Sequence, residues 1–208
     1  TYINKFVVGY SGGALELWNV RKCKLVHSFT CHNEFFANAK AASAAEPDSD
    51  ADFFARNTFN DSNAKTEASM PGVTCLHQSP ATDVFGVGFS DGTILMINLK
   101  LDRVLFSFKQ EGGAVTSVTF RTDSSAQVFP FMASASGDGR IHIWNLGAPA
   151  EDADEDSDSD SGTDDEPKGP KLVRKLQTTL EEAHRGAISS IEFLHGEPIM
   201  ISAAEDNT

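Results

Sequence analysis

Residues 136–146 read SGDGRIHIWNL, and this stretch aligns without gaps with two others in the chain. The other two are YSGGALELWNV at 10–20 and FSDGTILMINL at 89–99. Each begins with a small, glycine-rich turn, continues as an alternating strand and ends on Trp or Ile followed by Asn. Both tryptophans of the chain, Trp18 and Trp144, fall in the same column. The sequence is therefore built from a repeated unit.

Strand-like runs flank each copy on both sides. They alternate apolar and polar residues or are wholly apolar, and Gly, Asp, Asn and Pro bound them, which is the strand pattern. The runs are KFVVGY (5–10), LVHSF (25–29), VTCLHQS (73–79), DVFGVGF (83–89), VLFSFK (104–109), AVTSVTF (114–120), FMASAS (131–136), LVRKLQTTL (172–180), AISSIEF (187–193) and IMISAA (199–204). Four strands recur in each unit, and the starts at Val73 and Val115 are 42 residues apart. This spacing is typical of a propeller blade of about 40–45 residues.

The repeat resembles the WD-repeat β-propeller, in which small sheets arranged around an axis bury their faces against one another. The fold class that we expect is all-β: a WD-repeat β-propeller fragment, a partial, open arc of about three to four four-stranded blades with two long loop insertions. The expected order is a partial blade at 1–29, a flexible insertion at 30–71, a blade at 72–109, a blade at 110–180 with an acidic insertion at 147–171, and a truncated blade at 181–208.

Charge and cysteine content exclude several classes of protein. The 208-residue chain carries a net charge of −13, and the run EDADEDSDSDSGTDDE at 151–166 holds ten of the 30 acidic residues, so the remainder carries −13 + 10 = −3. Neither part makes a basic footprint for nucleic acid, because we expect phosphates to be repelled or ignored. Three cysteines argue against a disulfide framework and for a reducing compartment. No apolar run is long enough to cross a bilayer, so we expect no membrane partner.

The insertion at 30–71 is polar and Ala-rich at its start. The sequence predicts a short helix near Asn38–Ala45 and a loop over most of the remainder. Its apolar anchors are Phe35, Phe36, Phe53, Phe54 and Phe59. We expect them to pack on the propeller's own rim, and a partner-binding loop is the alternative.

Three polar residues near the end of the sequence follow the order of a WD-repeat structural tetrad. His184 precedes the first strand of its unit, Ser202 lies on the second strand, and Asp206 lies in the turn that follows. In such a tetrad the side chains satisfy one another inside a packed sheet, as buried polar groups must. The same residue types form the catalytic triad of hydrolases, which needs an open cleft beside the nucleophile. The chain order favours the structural role, so we expect no catalytic residue here.

The preceding unit supplies three residues in tetrad positions: Ser134, Asp138 and Trp144. Gly112 and Gly113 occupy the place where its histidine could stand. We therefore expect the polar network of this unit to be incomplete.

Two Cys-His pairs raise the question of a metal site. Cys31 and His32 are adjacent, and Cys75 and His77 lie two residues apart on one predicted strand. This spacing matches no closed zinc motif, so we expect small buried cysteines beside ordinary histidines and no bound metal.

The acidic run contains candidate phosphorylation sites. Ser157, Ser161 and Thr163 each have an acidic residue three positions later, which resembles an acidophilic casein-kinase site. Each phosphate would add roughly −1.5 to −2 charges.

Longer strings resemble one family among the WD-repeat proteins. They are KFVVGYSGGALELWNVRKCKLVHSF (5–29), DRVLFSFKQEGGAVTSVTFRTD (102–123) and AHRGAISSIEFLHGEPIMISAAEDN (183–207). These strings are similar to the U3 small-nucleolar-RNA-associated tandem WD-repeat protein family, of the WD-repeat protein thirty-six type. Its members have two propellers and a C-terminal helical domain. The resemblance therefore implies a fragment from the first half of such a protein, as the ends at Thr1 and Thr208 also lead us to expect.

The resemblance also implies a function. It implies a non-enzymatic scaffold subunit of the small-subunit processome, needed for pre-rRNA processing and 40S ribosome biogenesis in the nucleolus. The implied partners are other WD-repeat processome proteins, with the U3 snoRNP and pre-rRNA contacted through the assembly. It implies no cofactor and no small-molecule substrate. The repeat pattern by itself leaves a generic WD-repeat adaptor open, either a ubiquitin-ligase substrate receptor or a chromatin reader.

Overall fold

The computed structural model describes residues 4–44, 70–81, 83–122, 131–149 and 172–206. These residues form thirteen strands and a helix. The strands are β1 (Lys5–Gly9), β2 (Leu15–Asn19), β3 (Lys24–Ser28), β4 (Val73–Gln78), β5 (Val84–Phe89), β6 (Thr93–Asn98), β7 (Arg103–Lys109), β8 (Val115–Phe120), β9 (Phe131–Ser136), β10 (Ile141–Pro149), β11 (Leu172–Leu180), β12 (Ile188–Phe193) and β13 (Met200–Ala204), and helix α1 is Cys31–Ala44.

The strands form four sheets in which each strand pairs antiparallel with its neighbour along the chain. The first sheet has the order β1-β2-β3, the second β4-β5-β6-β7, the third β8-β9-β10-β11 and the fourth β12-β13. Each strand-like run in the sequence is a strand whose ends lie within one residue of the predicted ones. The expected fold class, an open arc of propeller blades, is confirmed.

Each sheet buries its apolar side chains against the next sheet. Leu15 and Leu17 of the first sheet pack with Val87 and Phe89 of the second in one cluster. The next cluster joins the second and third sheets through Ile94, Met96, Phe108, Val118, Phe120, Met132 and Trp144, and the last joins the third and fourth through Ala133, Ala135, Ile141, Ile188 and Ile191. Because full burial of one large apolar side chain stabilises by about 1.5–3 kcal/mol, the contacts between sheets carry much of the fold's stability.

A row of hydroxyl groups joins the third sheet to the fourth. Ser117 Oγ accepts from the Ile191 backbone N–H at 3.2 Å, and Thr119 Oγ1 accepts from the Phe193 N–H at 3.2 Å. Thr122, just beyond β8, accepts from the Gly196 N–H at 3.3 Å. The side chains of β8 and its following residues thus bond to the main chain of β12 and the turn after it.

Helix α1 is longer than the sequence predicts. It begins at Cys31, whereas the sequence predicts a start near Asn38, so the first part of the predicted flexible insertion is a helix. Phe36 packs against Phe89 of β5 with the rings 5.0 Å apart, and Phe35 lies against the same apolar cluster. These two aromatic residues therefore pack on the propeller's own rim, as expected. Phe53, Phe54 and Phe59 lie outside the described residues.

The first turn of α1 is held by a residue far away in sequence. The Asp102 carboxylate accepts from the backbone N–H groups of Thr30 and Cys31 at 3.2 Å, and from His27 Nε2 at 3.0 Å. Burial alone would raise the pKa of this carboxyl, but the hydrogen bonds from Cys31, His27 and Thr30 outweigh it and lower the pKa below its usual value. Asp102 therefore acts as an N-terminal cap for α1 and joins it to the second sheet.

The acidic insertion is shorter than the predicted 147–171. Strand β10 extends to Pro149 and pairs with β11, which starts at Leu172. The candidate phosphorylation sites Ser157, Ser161 and Thr163 lie outside the described residues. Among the residues that the structure describes, no helix has the length and apolar character to span a membrane.

Candidate functional site

The structure brings together the three polar residues of the fourth sheet. His184 Nε2 lies 2.8 Å from Ser202 Oγ, and His184 Nδ1 lies 3.3 Å from Asp206 Oδ1. The second carboxylate oxygen of Asp206 accepts from the Arg185 N–H at 2.8 Å. A carboxylate only accepts, so His184 Nδ1 donates to Asp206. The network ties the loop before β12 to β13 and the turn after it.

The order of these contacts is also that of a hydrolytic triad, so exposure decides between the two roles. The His184 side chain is only 6% exposed, and that of Asp206 is 16% exposed. A triad has to present its nucleophile and base to a substrate carbonyl. An imidazole enclosed in this way favours a structural network.

The third sheet contains a second network, which is built around Ser134. Trp144 Nε1 donates to Ser134 Oγ at 2.8 Å, and Ser134 Oγ donates to Gln110 Oε1 at 2.7 Å. All three residues are buried, with Ser134 at 0% exposure. The Gln110 amide group also donates to the carbonyl oxygens of Ala114 and Ala135, each at 3.4 Å. Gln110 thus bonds to the serine as His184 does in the fourth sheet.

Two predictions for this sheet need correction. The network has a third member in Gln110, which sequence reasoning missed because it sought only a histidine at Gly112 and Gly113. No hydrogen bond joins the Asp138 side chain to Ser134 or Trp144. Its carboxylate accepts from the Ser136 hydroxyl and lies 3.4 Å from Arg140 Nε.

In the first two sheets, Val8 and Val87 occupy the column of Ser134, and the hydrogen bonds are made by polar groups at other positions. Trp18 Nε1 donates to Glu16 Oε2 at 2.8 Å, and the Tyr10 hydroxyl donates to the same oxygen. In the second sheet, Asp91 accepts from the Thr93 hydroxyl at 2.8 Å and from Lys109 Nζ at 3.0 Å. Ser134 and Ser202 therefore mark the two sheets in which a serine stands at the centre of the network.

The Cys-His pairs do not assemble a metal centre. Among the described residues, no group of three or more His, Cys, Asp or Glu side chains could hold an ion. Burial, helped by the hydrogen bond to Asp102, raises the pKa of the Cys31 thiol to about 12. Burial also raises the pKa of the Cys75 thiol to about 11. Both thiols are therefore protonated near neutral pH and are poor ligands and nucleophiles.

His32 is the least satisfied polar side chain in this region. It is 1% exposed, and neither ring nitrogen has a hydrogen-bond partner in acceptable geometry. Burial lowers the pKa of its imidazole below the usual value, so the ring is neutral at pH 7. His32 therefore behaves as an apolar side chain of α1, with its ring near Phe89.

Sequence comparison with known protein families identifies the family of this chain. The family model described as the WDR36/Utp21 first beta-propeller matches residues 1–208. The chain belongs to that family. The resemblance that the repeats and the three strings indicate is therefore confirmed.

Curated relatives agree with this assignment. The chain is 31% identical over 208 residues to the U3 small nucleolar RNA-associated protein 21 homolog of Schizosaccharomyces pombe, covering 100% of this chain and 16% of that protein. It is 29% identical over 207 residues to human WD repeat-containing protein 36, again covering 100% of this chain and 16% of the relative. The chain thus spans a small part of the length of the relatives it matches.

Solved structures show the same fold at lower identity. The WD40 repeats of RRP9 match 97% of this chain and 42% of that chain with a TM-score of 0.56 and 15% identity. The computationally designed Ika4 protein matches 99% of this chain and 82% of that chain with a TM-score of 0.55 and 16% identity. At these identities the likeness shows the fold alone.

Proposed function

We propose that this chain is the first-propeller part of a non-enzymatic scaffold subunit of the small-subunit processome. In this role the protein is needed for pre-rRNA processing and 40S ribosome biogenesis, within a U3 snoRNP-associated WD-repeat subcomplex in the nucleolus. The observation that carries the proposal is the match of the family model to residues 1–208. The name of the Schizosaccharomyces pombe relative, which refers to U3 small nucleolar RNA, supports it.

The geometry supports a scaffold more than an enzyme. The polar network around Ser134 is buried in the third sheet, and the His184 imidazole is enclosed by its own neighbours, so both networks stabilise the fold. Buried thiols with raised pKa values leave Cys31 and Cys75 poorly suited to nucleophilic chemistry. What the arc presents to other molecules is its turns, its rims and the outer faces of its sheets, and these are the surfaces by which a propeller binds partners.

The proposed partners are other WD-repeat processome proteins, with the U3 snoRNP and pre-rRNA reached through the assembly. The division into a partial blade at 1–29, blades at 72–109 and 110–180, and a truncated blade at 181–208 is part of the same proposal. Phosphorylation of Ser157, Ser161 and Thr163 would deepen the negative charge of the insertion between β10 and β11.

Depletion of the full-length protein in its own cells tests the proposed function. We expect uncleaved small-subunit rRNA precursor to accumulate, and northern blots measure it. Re-expression of the wild-type protein should restore processing, and so should the Ser202→Ala variant at a temperature where the protein stays folded. Normal precursor processing after complete depletion would contradict the scaffold role. Failure of a folded Ser202→Ala protein to restore processing would contradict the non-enzymatic role.

A further inference from the structure

The turn between β2 and β3 and the turn between β6 and β7 have the same construction. Asn19 Oδ1 accepts from the Lys22 N–H at 2.9 Å, and Asn98 Oδ1 accepts from the Lys100 and Leu101 N–H groups at 3.0 Å. Four residues after each asparagine the chain enters the left-handed region, with φ of 45° at Cys23 and 46° at Asp102. The two turns therefore have similar backbone conformations, so residues at the same distance from the asparagine occupy equivalent places in both.

Corresponding positions in these turns carry basic side chains. Two residues after the asparagine stand Arg21 and Lys100, and five residues after it stand Lys24 and Arg103. Lys22 adds a fifth cation in the first turn. All five are exposed, and none of their side chains forms an ion pair among the described residues. We call these five residues the basic rim.

Both turns lie at the same end of the first two sheets. A cleft of about 130 Å³ between these sheets is lined by Lys5, which pairs with Asn19, and by Leu99 of the second turn. Asp83 also lines the cleft, and Asp102 lies within the second turn, where it is engaged with α1. Against these two carboxylates stand the five cations of the basic rim, so the balance of these groups is +3 in a chain of net charge −13.

We propose that the basic rim binds the phosphate backbone of single-stranded RNA. Unpaired cations repeated from one sheet to the next match a linear polyanion, in which phosphates recur along the strand. An arginine in each turn offers a planar donor fork suited to phosphate oxygens. Val20 and Leu101, which are 53% and 65% exposed, lie beside the cations and offer apolar contacts to ribose or bases. A folded acidic protein would offer no exposed bases to these apolar side chains.

This inference deepens the proposed function and rests on it, because an RNA-containing assembly supplies the ligand. The overall composition gave no reason to expect RNA binding, since the charge of the whole chain is negative. The acidic run belongs to the connection between β10 and β11 of the third sheet, which follows Pro149, and it is therefore not counted in the local balance of the first two sheets.

The test uses the full-length protein and a fluorescein-labelled single-stranded RNA. Fluorescence anisotropy gives the dissociation constant over a range of salt concentrations for the wild type and for the variant Arg21→Ala/Lys24→Ala/Lys100→Ala/Arg103→Ala. At about 0.7 per phosphate contact, the loss of four contacts should reduce the slope of log K against log salt by about 3. We expect binding at least about tenfold weaker at 100 mM salt. The variant Lys40→Ala/Arg185→Ala, which changes exposed cations outside the rim, should keep the wild-type slope and affinity.

Three results would overturn the inference. They are an unchanged slope in the four-residue variant, equal losses in the control variant, and binding of a peptide spanning 151–166 to the rim without binding of RNA. Ultraviolet crosslinking of the wild-type complex adds a local readout, since crosslinked peptides should include 19–24 or 98–103. If precursor accumulates after depletion but RNA binding does not depend on the basic rim, only the RNA-binding inference is refuted. If RNA binds the basic rim but precursor processing is normal after depletion, only the proposed function is refuted.

Discussion

Replacement of Ser134 by alanine tests whether the buried network of the third sheet stabilises the propeller. Ser134 Oγ is the acceptor for Trp144 Nε1 and the donor to Gln110 Oε1, and all three residues are buried. Alanine removes a single oxygen atom and keeps the backbone and Cβ. The change therefore isolates hydrogen bonding from packing better than a substitution of the tryptophan would.

The expected cost follows from the two groups left without a partner. An unsatisfied buried donor or acceptor costs about 1–3 kcal/mol. The indole N–H loses its hydrogen bond outright, whereas the Gln110 side chain keeps its two longer bonds at 3.4 Å. We therefore expect a loss of about 2–4 kcal/mol, which is less than the sum of two full penalties because the loosened amide can rearrange.

Hydrogen exchange followed by mass spectrometry measures this loss locally in the full-length protein. Peptides covering β9 and β10 should exchange roughly 30- to 700-fold faster in the variant, since about 1.4 kcal/mol corresponds to a factor of ten. Ser107→Ala is the matched control, because Ser107 is an exposed serine on a strand of the second sheet. This control should change exchange by no more than about 0.5 kcal/mol.

A double-mutant cycle distinguishes the hydrogen bond from a general loss of packing. Trp144→Phe removes the indole N–H, so Ser134→Ala should cost less in that background than in the wild type, with a coupling of about 0.5–3 kcal/mol. Equal exchange rates in Ser134→Ala and wild-type protein would refute the argument that this network stabilises the sheet. Strict additivity with Trp144→Phe would show that the serine and the indole act independently.

Further predictions concern the fourth sheet, helix α1 and the acidic run. His184→Ala should reduce the free energy of unfolding by about 1–3 kcal/mol and leave partner binding unchanged where the protein stays folded, as urea denaturation and pull-down would show. His32→Leu should be neutral or stabilising, since the imidazole has no hydrogen bond to lose; a loss above about 1 kcal/mol would contradict this. Burial lowers the pKa of His32, so its neutral form is favoured in the fold, and stability should fall as pH drops below about 6.5; that part of the fall should be missing in His32→Leu. Deletion of Glu151–Glu166 should change thermal stability by less than about 1 kcal/mol, because long surface insertions cost little.

The strands were predictable because each is bounded by its own local signals. Runs such as Val115–Phe120 alternate apolar and polar residues, and Gly and Asn separate one run from the next. This two-residue alternation indicates a strand and which of its side chains face the core. The positions of Ser134, Trp144, His184 and Ser202 were predictable because their order along the chain matches that of the WD-repeat tetrad.

What the sequence did not reveal depends on contacts between distant residues. Helix α1 begins at Cys31 because Asp102, 71 residues later in the chain, accepts from its first backbone N–H groups, and no local pattern contains that cap. Gln110 stands just before the glycines at which a histidine was expected, and its length lets the amide reach Ser134. Asp138 bonds to Ser136 and Arg140 within its own turn, so its position in the repeat did not place it in the network.

The hydroxyl row between the third and fourth sheets makes the structure more sensitive to substitutions in β8 than to substitutions in β12. Ser117, Thr119 and Thr122 contribute side chains, whereas β12 and its following turn contribute main-chain N–H groups that every residue except proline possesses. Exposed side chains of β12, such as Ser190, can therefore be exchanged without loss of these bonds, and a fourth blade from another propeller could be grafted there if its backbone follows the same path. The same freedom does not extend to β8, where the loss of one hydroxyl leaves a backbone donor of the neighbouring blade without its acceptor.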